Sequence, residues 1–453
     1  MSLAVLARSV VGPGNVIDDP DALWTYGYDA TMGFRGHPAV VAFPGTELEV
    51  QRLVRVAAAA GAPILPRGGA TSLAASAVPP DGALVIDTNR MQDILALDVQ
   101  SRFAVVQPGV VTHVFRELVA AHGLLYPPDP SSEAGSTLGG NAATNAGGAS
   151  AFKYGVTRDF VTGLRAVTAH GEIVEAYRPA DGPLIDVFIG SEGTLAILVQ
   201  LKLRLVAQPP ARAQRAAVFD TPVDALMAVP ALLDAGLVPA KLEFLDAQTI
   251  QALERARPRG LPTGGYAILL VELDGEAGAV SEAEQVLTEL LERSTGSPRV
   301  VGGDVAEHWW MARKGLTASL GRIRPAKIGE DICVPRRALA ATYTRIRDAA
   351  ERRGIPVAIF GHAADGTLHP NMLYHPDDPA ERDSAAGMLQ VVAEAGLAAG
   401  GVLSGEHGLG RVKRRFVTEA MTPQTLGLMR AVKQAFDPSG CLNAGSMWPP
   451  TPT

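Results

Sequence analysis

The stretch Pro127–Gly155, PPDPSSEAGSTLGGNAATNAGGASAFKYG, limits what this chain can fold into more than any other segment. Between Ser131 and Ser150, Leu138 is the only bulky apolar side chain, so the segment has little with which to build a core. Glycine lets a backbone take positive φ and come close to a ligand. Short side chains beside open N–H groups make a surface that can wrap an extended anion. A flexible Gly/Ser linker is the competing reading. Against it, Pro127, Pro128 and Pro130 stiffen the entry, Asn141 and Asn145 sit among paired glycines, and strand-like Leu164–Ala169 follows. The stretch is therefore expected to line a bound anionic cofactor.

Two more small-residue turns frame it. Pro63–Pro66 reads as a short strand that delivers Arg67-Gly68-Gly69-Ala70-Thr71-Ser72. The amides of that turn could hold a diphosphate, with the Thr71 and Ser72 hydroxyls as further donors. Gly190-Ser191-Glu192-Gly193-Thr194 leads into Leu195–Val206, where apolar residues alternate with Gln200, Lys202 and Arg204. A period of two describes a strand with one wet face. Thr46 and Glu49 predict a capping box for a helix ending near Ala60, and His170-Gly171 predicts a hairpin turn. Pro209-Pro210 marks a domain boundary. Beyond it, strands such as Lys241–Phe244, Ala267–Leu273 and Pro356–Phe360 alternate with helices such as Ala277–Arg293 and Pro379–Ala399. That order predicts a mixed sheet with helices on one side.

At 453 residues the chain is too long for one ordinary core, and 47% hydrophobic against 19% charged residues makes it globular. A net charge of −7 without a Lys/Arg run argues against nucleic-acid binding. No secretory signal and no apolar run long enough for a membrane span is read, so a cytoplasmic protein is expected. Cys333 and Cys441 are the only cysteines, which argues against a disulfide framework or a cysteine-bound cluster.

The chemistry concentrates late in the chain. Gly361-His362-Ala363-Ala364-Asp365-Gly366-Thr367-Leu368-His369-Pro370-Asn371 places two histidines on a strand–turn–strand unit. Ser404-Gly405-Glu406-His407-Gly408 adds a carboxylate and a third imidazole. Two imidazoles and a carboxylate make an open site for a divalent metal. If the backbone is extended at Glu406-His407, the two side chains point opposite ways, one to metal and one to substrate. Ordinary polar loop residues are the bland alternative for each histidine singly. A helix over Ala306–Gly321 would put Arg313 and Thr317 on one face, where a guanidinium can grip a carboxylate; a solvated charged helix is the equally simple reading.

In order along the chain, PRGGATSL, PPDPSSEAGSTLGGNAATNAGG with KYG, GSEGTLAI, GHAADGTLHPN and SGEHGLG resemble the FAD-linked D-2-hydroxyacid dehydrogenases of the vanillyl-alcohol-oxidase type. The resemblance implies an α+β chain with a two-subdomain FAD-binding domain of the PCMH type over 35–208, after a helical lead-in over 1–34. A mixed-sheet α/β cap over 209–415 would hold substrate, and 416–453 would return to the FAD domain.

The resemblance also implies site roles. Pro66, Arg67, Gly68, Gly69, Ala70, Thr71 and Ser72 would line the flavin. So would Pro130, Gly135, Ser136, Gly139, Gly140, Asn141, Thr144, Asn145, Gly148, Tyr154 and Gly155, then Glu192, Gly193, Ile197 and Asn443. His362, His369 and Glu406 would ligate a divalent metal, zinc or manganese, and His407 would be the acid/base. Arg313, Thr317, Asn371 and, by a poorer match, Lys327 would touch substrate. Ala70 stands where a third glycine is usual. No histidine occupies the Arg67–Ser72 turn, so non-covalent FAD is expected. The expected reaction is oxidation of a small D-2-hydroxy acid, D-lactate foremost, by hydride transfer to the flavin. D-2-hydroxyglutarate, D-malate and glycolate are the alternatives, and a non-catalytic oxidase subunit is the alternative from another class. An external acceptor is implied: a cytochrome, a quinone, an electron-transfer flavoprotein or a partner subunit. A homodimer and a peripheral place at the inner membrane are compatible with this reading.

Overall fold

Thr46 ends an extended segment and its hydroxyl accepts a hydrogen bond from the Glu49 amide, which starts the helix Glu47–Ala60. The Glu49 carboxylate turns back to the Gly45 amide at 2.6 Å. Val50, Leu53, Val54 and Ala57 recur at helical spacing and are buried; each of the larger ones contributes about 1.5–3 kcal/mol of apolar burial. This helix belongs to the first of two compact units in a computed structural model that describes residues 1–449. Residues 450–453, the end of the expected C-terminal segment, lie outside the described residues.

The first unit takes in Met1–Gly147, Gly155–Gln208 and the chain from Glu406 on. One sheet runs in the order Val16–Ile17, Val40–Ala42, Leu84–Asp87, Ile64–Arg67. Its last three strands are parallel and mostly apolar, Val40–Ala42 wholly so, because both faces are covered. The second sheet is antiparallel, in the order Ile94–Asp98, Phe103–Val106, Ala196–Arg204, Val161–Thr168, Ile173–Tyr177. Ala196–Arg204 has the expected alternation only from Gln200 onward. Ile197 and Val199 lie in the same apolar cluster as Val50 and Val54, while Ala196 and Leu198 are buried on the other face. The chain end adds itself to the first sheet: Leu442 bridges Ile64 in parallel, and the Asn443 amide donates to the Ile64 carbonyl at 2.8 Å.

The second unit comprises Gly148–Tyr154 and Pro209–Gly405. Its sheet runs Arg299–Gly302, Ala211–Phe219, Ala267–Gly275, Lys241–Leu245, Val357–His362, Thr367–Tyr374, Ala326–Gly329. The α+β class holds. Within it, the pairings are antiparallel where mixed pairing was expected. Helices cover both faces, not one. Ala217 and Phe219 face Leu226, Leu287, Ile346 and Met388, whereas Ala216 and Val218 face Ile250, Leu253 and Trp309. The reason is the period of two: both residue sets on these strands are apolar, so each face needs a cover. Among the described residues no helix is long and apolar enough to cross a membrane.

Candidate active site

In the first unit the candidate cofactor turns are brought into direct contact. A Cβ on Gly68 would lie 2.3 Å from the Thr137 hydroxyl, and one on Gly69 would lie 1.9 Å from the Gly135 carbonyl. The Arg67–Ser72 turn therefore sits on the Gly135–Thr137 segment with no room for side chains. A Cβ on Gly139 would lie 2.5 Å from Pro108 Cβ, and one on Gly193 (φ +67°) would lie 3.2 Å from Pro66 Cγ. Inside the glycine-rich stretch, Leu138–Thr144 forms a helix. The Gly190 and Glu192 amides donate to the carbonyls of Ala142 and Ala143, at 3.0 and 2.7 Å. This joins the third turn to the second.

The side chains in these turns serve each other as much as a ligand. Arg67 is buried, and its Nη1 donates to the carbonyls of Tyr26, Tyr28 and Ala77. Ser72 shares a 2.7 Å hydrogen bond with Ser76. Ser136 and Asn141 both reach Thr112. Thr144 bonds back to the Gly140 carbonyl, and Asn145 caps the helix at φ +53° while accepting from the Arg158 amide. Ile197 is buried core. Gly155, at φ +96°, lies close against Asp159, and Pro130 closes a turn through its carbonyl to the Glu133 amide. Gly148 and Tyr154 fall in the second unit, where the Tyr154 hydroxyl donates to Asp274 at 2.7 Å.

Ala70, Ala75, Asn145, Glu192 and Asn443 all have left-handed φ, between +43° and +57°, a conformation that costs a non-glycine residue about 1–2 kcal/mol. Such outliers gather at ligand sites, although the amides of Ala75, Asn145, Glu192 and Asn443 are themselves bonded within the protein, to Thr31, Ala142, Ala143 and Ile64. Asn443 adds a second mark. Its Nδ2 donates to the carbonyls of Ser76 and Glu192, yet its Oδ1 is buried without a hydrogen-bond partner. A buried amide oxygen of this kind calls for a donor that the protein itself does not supply, so these residues fit a large polar cofactor.

Glu192 ties the cradle to the His407 loop. Its carboxylate accepts from the amides of Leu409 and Gly410 at 2.7 and 2.9 Å and from Ser446 at 3.3 Å. Burial pushes this carboxyl up to about 7, although those donors pull it the other way. The Gly405–His407 backbone is bent, not extended. His407 Nε2 is accordingly 3.8 Å from Glu406 Oε1, so these two side chains approach each other where opposite directions were expected.

In the second unit, His362 ends one strand of a hairpin and His369 lies on the other, opposite Phe360. Gly366 (φ +84°) makes the turn, with the Val334 carbonyl too near for any Cβ. The two imidazole rings meet edge to face, with centroids 5.1 Å apart. Glu406 follows Gly405, the last residue of this unit, by one peptide bond. Ligand atoms of His362, His369 and Glu406 all lie within 4.8 Å of one another.

A residue not foreseen from sequence lies beneath them. Glu243, fully buried, pairs with His362 across neighbouring strands. Its Oε1 is 2.5 Å from His362 Nδ1, and its Oε2 takes Arg313 Nε at 2.8 Å and Nη2 at 2.7 Å. Burial works against ionisation of this carboxyl, but His362 and Arg313 hold it down to about 2. The signal was available: an acid at the centre of the apolar strand Lys241–Leu245 must have a partner. Arg313 thus has its Nε edge engaged and stacks over Phe360 at 5.1 Å. The helix Gly303–Lys314 stops at Gly315, and Thr317 sits on a separate short helix, exposed. Lys327 Nζ donates to Asn371 Oδ1 at 3.1 Å, and Asn371 Nδ2 to the His369 carbonyl. Gly329 leaves room for that pair: a Cβ there would lie 2.9 Å from Asn371 Oδ1. Burial alone lowers the Lys327 amine to about 8.

Comparison with known proteins bears on both units. The C-terminal domain of FAD linked oxidases matches residues 208–447, and an FAD binding domain matches residues 38–177. Glycolate oxidase subunit GlcD of Bacillus subtilis is 34% identical over 97% of this chain and 95% of its own length. A D-2-hydroxyglutarate dehydrogenase of Stutzerimonas stutzeri is 33% identical over 97% of both. The mitochondrial D-lactate dehydrogenase [cytochrome] of Arabidopsis thaliana is 28% identical over 91% of this chain and 74% of its own length. Among solved structures, p-cresol methylhydroxylase with substrate bound superposes with a TM-score of 0.82 at 16% identity, covering 98% of this chain and 96% of its own, which shows a shared fold.

Proposed function

The chain belongs to the FAD-linked oxidases, in the group of glycolate oxidase subunits, D-2-hydroxyglutarate dehydrogenases and D-lactate dehydrogenases, and from that premise we propose that it oxidises a small D-2-hydroxy acid, such as D-lactate, to the 2-oxo acid. The observation that carries this reading is the convergence of His362, His369 and Glu406. That donor set suits a zinc or manganese ion with positions left for substrate. A cation there would polarise the substrate hydroxyl, and non-covalently bound FAD would accept the hydride at N5.

The chain's own residues do the rest. His407 takes the hydroxyl proton, a general-base role for which imidazole is the commonest side chain. Lys327 and Asn371 hold the substrate carboxylate, with Arg313 and Thr317 at its margin. Arg313 commits its Nε–Nη2 edge to Glu243, which leaves its Nη1–Nη2 end for a substrate carboxylate. Reducing equivalents then pass to an acceptor outside the chain: a cytochrome, a quinone, an electron-transfer flavoprotein or a partner subunit. Relatives named as an oxidase subunit and as a cytochrome-linked dehydrogenase support this.

The test is anaerobic flavin bleaching by D- and L-lactate, glycolate, D-malate and D-2-hydroxyglutarate, with metal analysis of the same sample. D-lactate should bleach the flavin and L-lactate should not. A strong chelator should stop the reaction, and zinc or manganese should restore it. Bleaching by D-2-hydroxyglutarate alone would move the substrate to a diacid, and undiminished bleaching in verified metal-free protein would remove the cation from the chemistry.

A further inference from the structure

We propose that Glu243 is a positioning residue that serves two functional side chains at once, setting the tautomer of His362 for metal binding and the orientation of Arg313 toward substrate. The inference rests on the metal-binding reading above and concerns a residue that touches neither metal nor substrate.

The argument is one of hydrogen-bond supply. Oε1 of Glu243 meets His362 Nδ1 at 2.5 Å, and Oε2 meets Arg313 Nε and Nη2. A carboxylate accepts only, so His362 must carry its proton on Nδ1. Nε2 is then the nitrogen that presents a lone pair for a cation. An acidic partner behind a ligating imidazole fixes the ring and raises its basicity, and loss of such a partner costs 10–100-fold in metal affinity. The second oxygen is equally committed. The Arg313 guanidinium lies over the Phe360 ring, with its Nε edge on Glu243. The charges of Arg313 and Glu243 cancel inside the sheet–helix layer, where neither could stay alone.

Glutamine at 243 cannot meet both demands, since it has one acceptor oxygen and an NH2 group. With its oxygen on Arg313, its NH2 faces His362 and forces the proton onto Nε2, the tautomer that cannot ligate. Leucine at 243 with methionine at 313 removes the pair in apolar, volume-matched form, which is close to neutral for folding, and leaves His362 Nδ1 without an acceptor.

The experiment titrates Mn²⁺ into chelator-treated, FAD-loaded protein by calorimetry, with melting temperature and flavin absorbance recorded for each sample. Relative to the parent, Glu243→Gln and the double variant Glu243→Leu/Arg313→Met should each bind Mn²⁺ about 10–100-fold more weakly, with FAD retained. The double variant Glu243→Gln/Arg313→Met frees the amide oxygen for His362. It should recover Mn²⁺ affinity to within a few-fold of the parent while KM for the hydroxy acid stays high. A merely structural carboxylate would not give that split. Mn²⁺ affinity of the Leu/Met variant equal to the parent's, alongside its loss in His362→Ala, would overturn the role of Glu243 and leave the metal site standing. A parent that binds no Mn²⁺ would overturn both.

Discussion

His407 and Lys327 illustrate what single side chains are asked to do. His407→Ala should lower turnover by roughly 10²–10⁴-fold while flavin absorbance per chain is unchanged; turnover close to normal would take His407 out of the proton transfer. Lys327 is largely buried, and burial lowers its amine to about 8. The ammonium form is the one that attracts a carboxylate, so substrate grip should be full below that value and decline above it. KM should therefore rise with pH through an inflection near 8, which Lys327→Met should abolish, with a higher KM throughout. Lys327 and Asn371 could be named from sequence only through a motif match. The strand register that sets Gly329 opposite Asn371 gives the physical reason they meet. Glu243 was not legible as a functional residue, although its strand was, because no local pattern tells which distant cation answers a buried acid.

Among the elements, those with a periodic signal were read nearly to the residue. Helix Glu47–Ala60 has its cap and its apolar face, and the strand pair Val161–Thr168 and Ile173–Tyr177 has its turn. The helix Leu138–Thr144 escaped because glycine, threonine and asparagine carry no helical preference; tertiary contacts hold it, with Gly139 against Pro108 and Asn141 on Thr112. Arg299–Gly302 is a short edge strand with no strict alternation, and nothing local distinguishes it from a loop. The cofactor turns were recognisable by composition, but not which glycines matter for packing and which for a ligand. Gly69→Ala tests that division: its Cβ would collide with the Gly135 carbonyl, so the two turns must part and the purified protein should contain little flavin. Ala70→Gly, which relieves a φ of +51°, should keep its flavin and melt no lower than the parent.

At the scale of the whole molecule, stability against pH should carry the signature of Glu192. Its folded pKa is raised to about 7 from an ordinary 4.5. The associated stabilisation is complete below the ordinary value and disappears as pH climbs through 7, an effect of roughly 3 kcal/mol at most. Thermal melting followed from pH 5 to pH 8 should show this decline, and Glu192→Gln should flatten it. That variant should also melt lower at pH 5, because one amide oxygen cannot serve both Leu409 and Gly410. A parent whose melting point rises over the same interval would contradict the assignment.

The parallel bridge from Leu442 to Ile64 carries a consequence for synthesis. Asn443 anchors itself to Ser76, 367 positions earlier, and to Glu192, 251 positions earlier. Until Leu442 has been made, the edge strand Ile64–Arg67 has an open border. Chains truncated before residue 437 should remain protease-sensitive in their first unit and colourless.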